Sequence, residues 1–322
     1  MQAIRPRSAG GPEGLVLEDF PKESPGEQQL LVRCEAVGVN YIDVYHRVGL
    51  YKTPLPIPLG LEGAGVVEEL GANVSGVAVG DRVAWVAGPG SYATHVVIDA
   101  ARAIPLPDHV ETRTAAALML QGLTAHYLAR STFPLGPEHT ALVHAAAGGV
   151  GLLLVQLAKA AGARVIGTVS TQDKAERARA AGANEVILYG ERDFLTATRE
   201  LTRERGVDVV YDSVGQATFD KSLEALAPRG FLVLFGQASG PVDPVDPQRL
   251  ARGGSLFLTR PTLQHYTCTR DELLTRSREL FEALTNEQLH VHIDRSFALS
   301  AAADAHRALE SRQTQGKLLL IP

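Results

Sequence analysis

The chain has 322 residues, enough for two domains that each have a core of their own. Lysine and arginine number 31 against 36 aspartate and glutamate residues, so the formal charge of -5 disfavours nonspecific binding to nucleic acid or to an anionic membrane surface. With 45% apolar and 21% charged residues, the composition is that of a folded globular protein and not of a disordered or membrane-embedded one.

The first 20 residues lack the apolar segment of a secretory signal, and no apolar run elsewhere is long enough to cross a membrane. The two cysteines, Cys34 and Cys268, are too few for a disulfide framework and fit a reducing compartment. We therefore expect a cytoplasmic protein.

From residue 1 to about 120, short and often alternating apolar runs are separated by turn residues. The runs at 29–33, 65–69 and 81–85 are typical of antiparallel β-strands, and the breaks between them are rich in glycine and proline. One short helix is expected, near residues 40–47. This region is therefore predicted to be mainly β.

After about residue 114, strand and helix patterns alternate. Strands are predicted at 140–144, 164–168, 185–188, 207–211, 230–235 and 255–259, and helices at 149–161, 173–181, 194–205 and 219–226. Strands joined by helices of this length form parallel sheets, which predicts a doubly wound, nucleotide-binding α/β domain. Helices at 271–284 and 301–312 and a strand at 317–321 follow; the strand has no place in the parallel sheet and is expected to return to the first domain.

A glycine turn lies between the first strand of this α/β region and its first helix. Its residues 146–151 read Ala-Ala-Gly-Gly-Val-Gly, with Ala146 in place of the usual first glycine. Glycines in this position let the backbone approach a pyrophosphate, and the helix N-terminus supplies free N–H groups and partial positive charge. The turn predicts dinucleotide binding through Ala147, Gly148, Gly149, Val150 and Gly151.

The end of the second strand distinguishes NADH from NADPH, because NAD proteins place an acidic residue there on the ribose 2′-hydroxyl. Here residues 168–171 contain no acid, Lys174 follows, and Ser170 offers a hydroxyl. NADPH is favoured, with Lys174 and Ser170 facing its 2′-phosphate. The alternative is that Lys174 is a solvated helix residue between Asp173 and Glu176.

Five further features are the segments at residues 38–43, 60–65, 80–83, 121–125 and 144–151, which are spread over nearly the whole chain. In sequence and in order, these segments resemble the quinone oxidoreductase (zeta-crystallin) branch of the medium-chain dehydrogenase/reductases. The resemblance implies an α/β fold: a Rossmann doubly wound parallel sheet domain (residues 123–262) plus a GroES-like, mainly β catalytic domain (1–122 and 263–322), with the active site in the cleft between them. It also implies a homodimer paired through the edge strand at 255–259.

Zinc enzymes of this superfamily hold their catalytic metal through a cysteine near the position of Asn40 and a histidine near that of Leu61. Neither Asn40 nor Leu61 is a good zinc ligand. The lobe with four cysteines for a structural zinc would follow Trp85, but residues 86–92 contain no cysteine. We therefore expect no zinc, and alcohol oxidation is disfavoured because it needs a Lewis acid at the alkoxide.

The resemblance assigns roles to residues of this chain. Asn40 would orient the nicotinamide carboxamide or a substrate oxygen, Tyr45 and Tyr51 would line the substrate cleft, and Thr124 would lie near the nicotinamide ribose or pyrophosphate. The other cofactor contacts implied are Tyr189 and Arg312 near the adenosine phosphate, Ser213, the loop Phe235, Gly236 and Gln237, and Arg260 and Thr262 beside the nicotinamide.

These roles predict an NADPH-dependent quinone reductase that transfers hydride, or single electrons, without a metal. No residue stands out as a general acid: Asp43 is expected to hold its loop, and solvent is expected to deliver the proton. The alternatives are an NADPH-dependent alkene or enone reductase and a non-catalytic, crystallin-like protein that binds NADPH or RNA. The charge of -5 argues against RNA.

Overall fold

The computed structural model describes residues 1–86, 88 and 90–322. The chain divides into two compact units. The first comprises Met1–Leu123, Thr267–Glu282 and Val291–Pro322, and the second comprises Thr124–Tyr266 and Ala283–His290. These boundaries differ from the expected ones mainly at 263–266 and 283–290, which belong to the second unit.

The described residues form strands and helices in the following order. The strands are β1 (Gln2–Ile4), β2 (Leu17–Asp19), β3 (Gln29–Val39), β4 (Glu62–Leu70), β5 (Arg82–Val86), β6 (His95–Asp99), β7 (Ile104–Pro105), β8 (Thr140–Val143), β9 (Arg164–Val169), β10 (Glu185–Leu188), β11 (Val207–Asp212), β12 (Leu226–Leu234), β13 (Phe257–Thr259), β14 (Ile293–Ala298) and β15 (Lys317–Ile321). The α-helices are α1 (Tyr41–Arg47), α2 (Thr112–Tyr127), α3 (Gly149–Ala160), α4 (Gln172–Ala180), α5 (Phe194–Leu201), α6 (Phe219–Glu224), α7 (Pro247–Arg252), α8 (Arg270–Thr285) and α9 (Ala302–Glu310).

The first unit is built on a mostly antiparallel sheet. Its strand order is β14-β15-β3-β4-β5-β7, and β6 also pairs with β3. The last strand returns to this sheet as expected: β15 runs antiparallel to β3, with Leu319 opposite Gly38. Its core includes the fully buried Trp85, Leu30 and Leu320.

The second unit contains a six-stranded parallel sheet in the order β10-β9-β8-β11-β12-β13. The order reverses between β8 and β11, so the carboxyl ends of these two strands form the topological switch point at which such sheets bind ligands. Leu142, Ile166, Val210 and Leu232 form the centre of its core. The predicted combination of a doubly wound α/β domain with a mainly β, GroES-like domain is confirmed.

The sequence analysis missed α2, α7 and β14. In α2, residues 115–119 and 122–127 are all buried, so buried positions lie on every side of the helix and the sequence shows no clear amphipathic period. Strand β12 begins four residues before its predicted start at 230, because Leu226 pairs with Val207 before a register shift in the ladder. No helix in the described part of the chain is long and apolar enough to cross a membrane.

Candidate functional site

The glycine turn of the second unit has the geometry of a dinucleotide cradle. Gly148 lies in extended backbone just before α3, and the first helical hydrogen bond runs from Leu152 N to Gly148 O over 2.9 Å. The N–H groups of residues 149–151 therefore lack helical acceptors and are available to a ligand. A Cβ on Gly151 would collide with the carbonyl oxygen of Ala145, so this glycine permits α3 to pack tightly on the turn.

Ala146 occupies the place of the first glycine without disturbing the turn. Its N–H donates to Thr168 O over 3.1 Å, and its side chain is fully buried. The methyl group packs against Gly167 of β9, where a Cβ would lie only 2.8 Å away. Space for the extra methyl at 146 is thus provided by a glycine on the neighbouring strand. Ala147 beside it is also buried, and Val150 is half-buried.

The end of β9 carries no carboxylate. Ser170 is exposed, and Thr171 caps α4 by accepting a hydrogen bond from Lys174 N over 3.4 Å. Lys174 lies in the first turn of α4, where the helix dipole adds to its positive charge. These residues fit a phosphate on the adenosine ribose better than they fit an unmodified 2′-hydroxyl.

The hydroxyl of Tyr189 points toward the glycine turn. It lies 2.5 Å from Thr168 Oγ1 and 3.0 Å from His144 Nδ1, and it accepts a hydrogen bond from the backbone of Ala145. Burial raises the pKa of Tyr189 to about 12, so the hydroxyl keeps its proton. Its expected contact with the adenosine phosphate stays a prediction.

Two loops at the carboxyl ends of β11 and β12 lie against each other. Phe235 N donates to Asp212 O over 2.9 Å, Ala238 N donates to Ser213 O over 3.1 Å, and a Cβ on Gly236 would lie only 2.6 Å from Ser213 O. Gly236 is therefore required for the close approach. Ser213, Phe235 and Gln237 are half-buried along this edge of the sheet.

The remaining cofactor residues predicted in the second unit are Arg260, Thr262 and Thr124. Arg260 follows β13 and donates to Leu234 O over 3.1 Å; it is exposed, as is Thr262. Thr124 is buried near the end of α2. Their predicted contacts with the nicotinamide half of the cofactor stay predictions.

In the first unit, Asn40 lies at the centre of a buried polar cluster. Its Nδ2 donates to Glu62 Oε1 over 2.6 Å, and its Oδ1 accepts from Lys317 Nζ over 2.8 Å and from Gln121 Nε2 over 3.1 Å. Lys317 also forms an ion pair with Glu62, and Glu62 Oε2 accepts from Leu120 N over 2.6 Å. Glu62 is 0% and Lys317 1% exposed, so the ion pair is shielded from solvent.

Tyr45 and Tyr51 form the centre of an aromatic group on α1 and the loop after it. Their ring centroids are 5.4 Å apart with an angle of 65° between the planes, and Tyr41 and His46 contact them at 6.0 Å and 5.7 Å. Tyr45 is buried and Tyr51 half-buried. The pair can present ring edges and a hydroxyl to a flat ligand.

Asp43 holds its loop through hydrogen bonds. Its Oδ2 accepts from Asn40 N over 2.8 Å and from the Tyr92 hydroxyl over 3.0 Å, while Oδ1 has no partner. Burial raises the pKa of Asp43 to about 7. Beyond Tyr92, burial and the neighbouring Arg47 lower the pKa of His306 to about 3.

Arg312, which the resemblance places near the adenosine phosphate, belongs to the first unit. It follows α9 with a φ of 59°, and its side chain hydrogen bonds to the Tyr41 hydroxyl. The guanidinium thus lies beside the aromatic group of α1. Its contact with a phosphate stays a prediction.

The residues around Asn40 do not fit a catalytic zinc ion. Zinc needs nitrogen or sulfur ligands that converge on it. Here Asn40 offers an amide already bonded to Glu62, Lys317 and Gln121, and Leu61 offers no donor. The Lys317 ammonium already neutralises the Glu62 carboxylate. Within residues 1–86, 88 and 90–322, no three or more histidine, cysteine, aspartate or glutamate side chains are grouped so that they could hold a metal ion. The segment 86–92, where a structural zinc lobe was not expected, includes residues 87 and 89, which the structure does not describe.

Among the buried charged residues that escaped the sequence analysis are Glu62, Lys317 and Asp212. Asp212 accepts from Val214 N, Gly215 N, Thr218 Oγ1 and Ser222 Oγ at 2.7–3.0 Å, so it holds the loop after β11. A carboxylate directly after an apolar strand and before Ser-Val-Gly was the available signal for it. Glu62 and Lys317 each begin a strand, where a charge ordinarily indicates solvent exposure.

Comparison with known proteins covers nearly the whole chain. An alcohol dehydrogenase GroES-like domain model matches residues 26–108, and a zinc-binding dehydrogenase model matches residues 149–286. The chain is 46% identical to a quinone oxidoreductase of Pseudomonas aeruginosa (97% of each chain) and 43% identical to a 2-haloacrylate reductase of a Burkholderia species (97% of this chain, 96% of the relative). The Escherichia coli quinone oxidoreductase solved with NADPH matches with a TM-score of 0.98, 44% identity and full coverage of both chains.

Proposed function

The chain belongs to the quinone oxidoreductase family of the medium-chain dehydrogenase/reductase superfamily, and on this basis we propose that it is an NADPH-dependent quinone reductase. The observation that carries the proposal is the glycine turn between β8 and α3, together with the end of β9. No carboxylate lies at the end of β9, and Lys174 follows it in the first turn of α4. Such a turn accepts a pyrophosphate, and such a strand end favours a 2′-phosphate.

The residues proposed to hold the cofactor are spread along the chain. The N–H groups of residues 149–151 bind the pyrophosphate, and Lys174 with Ser170 receives the 2′-phosphate, assisted by Arg312 and by the ring of Tyr189. The loops at Ser213 and at 235–237 extend along the dinucleotide toward Arg260, Thr262 and Thr124. When bound, NADPH supplies the reducing equivalents.

Asn40, Tyr45 and Tyr51 receive the acceptor. The two rings, inclined at 65° to each other, offer apolar ring surface to a quinone, and the Asn40 amide offers a hydrogen bond to a carbonyl oxygen that gains negative charge. Asp43 holds the loop through its bonds to Asn40 N and the Tyr92 hydroxyl. The proton that completes reduction comes from solvent, because Asp43 is enclosed in that network.

The reaction needs no metal ion. Asn40 and Leu61 stand where the zinc enzymes have ligands, and the Asn40 amide is already bonded to Glu62 and Lys317. Since a quinone is electron-poor, it accepts a hydride without the Lewis acid that alcohol oxidation requires.

The test is a titration of metal-analysed protein with NADPH and with NADH, followed by oxidation of the bound cofactor with a benzoquinone. We expect tighter binding of NADPH, less than stoichiometric zinc, and oxidation that depends on quinone. A protein that binds NADPH but transfers nothing to quinones would overturn the proposed reaction, and a protein that binds neither cofactor would overturn the proposed site.

Reduction of an activated alkene is the second candidate. It is favoured by the 43% identity to a 2-haloacrylate reductase over nearly the full length of both chains. The Asn40 amide would serve the carbonyl or carboxylate oxygen of such a substrate in the same way. A higher kcat/KM for a small enone or haloacrylate than for a benzoquinone would favour this activity over quinone reduction.

We also propose a cytoplasmic homodimer. Strand β13 is an edge of the parallel sheet, and Phe257 on it is 50% exposed although it stacks on Phe231 at 4.3 Å. An unpaired edge with an exposed aromatic residue is suited to pairing with a second copy. Cys34 and Cys268 form no disulfide with each other, which fits a reducing compartment. Light scattering at micromolar concentration tests the dimer.

A further inference from the structure

Four side chains from distant parts of the sequence meet at Asn40. Asn40 precedes α1, Glu62 begins β4, Gln121 lies in α2, and Lys317 begins β15. All four belong to the first unit. The antiparallel pairing of β15 with β3 carries Lys317 to this point, and β3 makes room for Glu62 at Gly38, where a Cβ would collide with the Glu62 carboxylate.

The chemistry of the partners determines the orientation of the Asn40 amide. A lysine ammonium only donates hydrogen bonds, so the Asn40 atom 2.8 Å from Lys317 Nζ must be the oxygen. A carboxylate only accepts, so the Asn40 atom 2.6 Å from Glu62 Oε1 must be the nitrogen. The two constraints agree, and Gln121 Nε2 adds a second donor to the oxygen at 3.1 Å.

This orientation leaves one group of the amide for a ligand. The oxygen accepts two hydrogen bonds, which use both of its lone pairs. The nitrogen has two protons, and the hydrogen bond to Glu62 uses one of them. Asn40 can therefore serve a bound molecule only as a donor, through its second Nδ2–H, and the matching chemical group is a carbonyl oxygen.

We propose that Lys317 is a positioning residue, whose buried ammonium pairs with Glu62 and keeps the Asn40 amide turned so that its free N–H faces a carbonyl oxygen in the active site. This inference rests on the proposed function. The carbonyl oxygen belongs either to the nicotinamide carboxamide or to the acceptor. Lys317 itself is enclosed between Asn40 and Glu62 and acts only through Asn40.

The orientation can be measured without any activity, by NMR of the full-length protein labelled with [15N]asparagine. The chain has only four asparagines, and Asn40→Asp identifies the signals of residue 40. We expect the two Nδ2 protons to differ widely in chemical shift, because one is bonded to a carboxylate. In Glu62→Gln this difference should shrink because the carboxylate is lost, and in Lys317→Met/Glu62→Gln it should shrink further because the donor to the Asn40 oxygen is lost as well; equal Asn40 signals in the two variants would overturn the role of Lys317.

The kinetic test uses Asn40→Asp/Glu62→Gln, which moves the carboxylate from position 62 to position 40. Lys317 keeps a carboxylate partner at position 40, and the amide introduced at position 62 can accept from Leu120 N. Because Glu62 Oε1 accepts from both Asn40 Nδ2 and Lys317 Nζ, the exchange removes the hydrogen bond from Lys317 to residue 62 as well as the outward N–H of residue 40. We expect kcat/KM for a benzoquinone to fall on the order of 100-fold, as when one donor to a developing oxyanion is removed, and to fall much further than in a variant that loses stability alone.

The variants also locate the oxygen that Asn40 contacts. A weaker NADPH affinity in Asn40→Asp/Glu62→Gln indicates the carboxamide, whereas an unchanged affinity with lower kcat/KM indicates the acceptor. Leu320→Ala, a fully buried change on β15 without a polar partner, is the control for lost stability alone. Wild-type values of both NADPH affinity and kcat/KM in the double variant would overturn the role of the Asn40 N–H. A wild-type protein that reduces no quinone overturns the proposed function instead, and the NMR result then decides the role of Lys317.

Discussion

The two units each contain a buried carboxylate in a polar network, and the two networks differ in whether a hydrogen-bond donor is left unused. In the second unit, Asp212 accepts four hydrogen bonds, and Ser222 connects it to His144. In the first unit, Glu62 is paired with Lys317, and the shared partner Asn40 keeps one donor. A saturated network supports backbone loops, whereas a network with one unused donor can present that group to a ligand.

The tautomer of His144 follows from the same assignment of hydrogen-bond donors and acceptors. Ser222 gives its only proton to Asp212, so its oxygen must accept from His144 Nε2, and Nδ1 is left to accept from Tyr189 or Thr168. Burial lowers the pKa of His144, in agreement with a neutral ring. The network of the second unit is therefore complete as it stands, and its members hold the turns at β8, β9 and β11.

Removing the cation of the first network should have the largest effect. Lys317→Met leaves Glu62 buried without its charged partner, and we expect a loss of about 3–5 kcal/mol in the free energy of unfolding. Urea denaturation measures it. The matched variant Lys317→Met/Glu62→Gln should recover most of this loss, since no charge remains uncompensated. Equal instability of the single and double variants would contradict the ion pair as the cause.

Weakening the second network should cost less and should also affect cofactor binding. Asp212→Asn keeps the shape but offers one acceptor oxygen where two accepted, so some of its four donors lose their partner, at about 1–3 kcal/mol for each. We expect weaker NADPH binding by fluorescence titration, because the loop that Asp212 holds carries Ser213. A destabilised variant with unchanged NADPH affinity would separate this loop from the cofactor.

A pH titration tests the part of the first network around Asp43. Because burial raises its pKa to about 7 from 3.8, the folded chain retains a proton there that the unfolded chain has released. Stability from Asp43 is thus present below pH 3.8 and is lost as pH rises through 7. Asp43→Asn removes this decline, so the stability of the variant relative to wild type should rise between about pH 4 and pH 7, by up to ~1.4 kcal/mol per pH unit.

Several groups around Asp43 bear on that titration: Lys317, Glu62, Tyr92 and, beyond Tyr92, His306 with Arg47. His306 acts with the opposite sign. Its pKa is lowered to about 3 from 6.5, so it contributes stability that is present above 6.5 and is lost as pH falls toward 3. The difference between variant and wild type isolates Asp43. A pH-independent difference would show that Asp43 titrates normally in the fold.

The smallest effect is expected at Tyr51. It contributes a ring to the aromatic group beside Asn40, and Tyr51→Phe keeps that ring. Because solvent supplies the proton, the rate of quinone reduction should barely change. A loss on the order of a hundredfold would instead identify the Tyr51 hydroxyl as a general acid.

The α/β region could be predicted closely because helices and strands alternate there with distinct periods. Strand β10 was predicted with its observed ends, and so was β15. Strand β14 was missed because its Asp294, Arg295 and Ser296 interrupt the apolar alternation. The local pattern of apolar residues is sufficient to predict a helix or strand that has one apolar face, and it fails for an element whose two faces have a similar mixture of polar and apolar residues.

The centre of the candidate site could be predicted only in part. Asn40 was identified by resemblance, and the glycine turn by its position between strand and helix. The partners of Asn40 could not be found in this way, since Lys317 and Glu62 are 255 positions apart and each looks like an ordinary surface charge at the start of a strand. Their pairing depends on the return of β15 to the first sheet, which is a tertiary contact.

The most direct test of the account is a single-turnover experiment on protein treated with a chelator, in which oxidation of NADPH by a benzoquinone is compared with oxidation of NADPH deuterated at C4. We predict that the chelated protein keeps its full rate and that deuterium on the transferred side slows it, because hydride leaves NADPH without help from a metal. A rate that disappears on chelation and returns with zinc, or that deuterium leaves unchanged on both sides of the ring, would contradict metal-free hydride transfer.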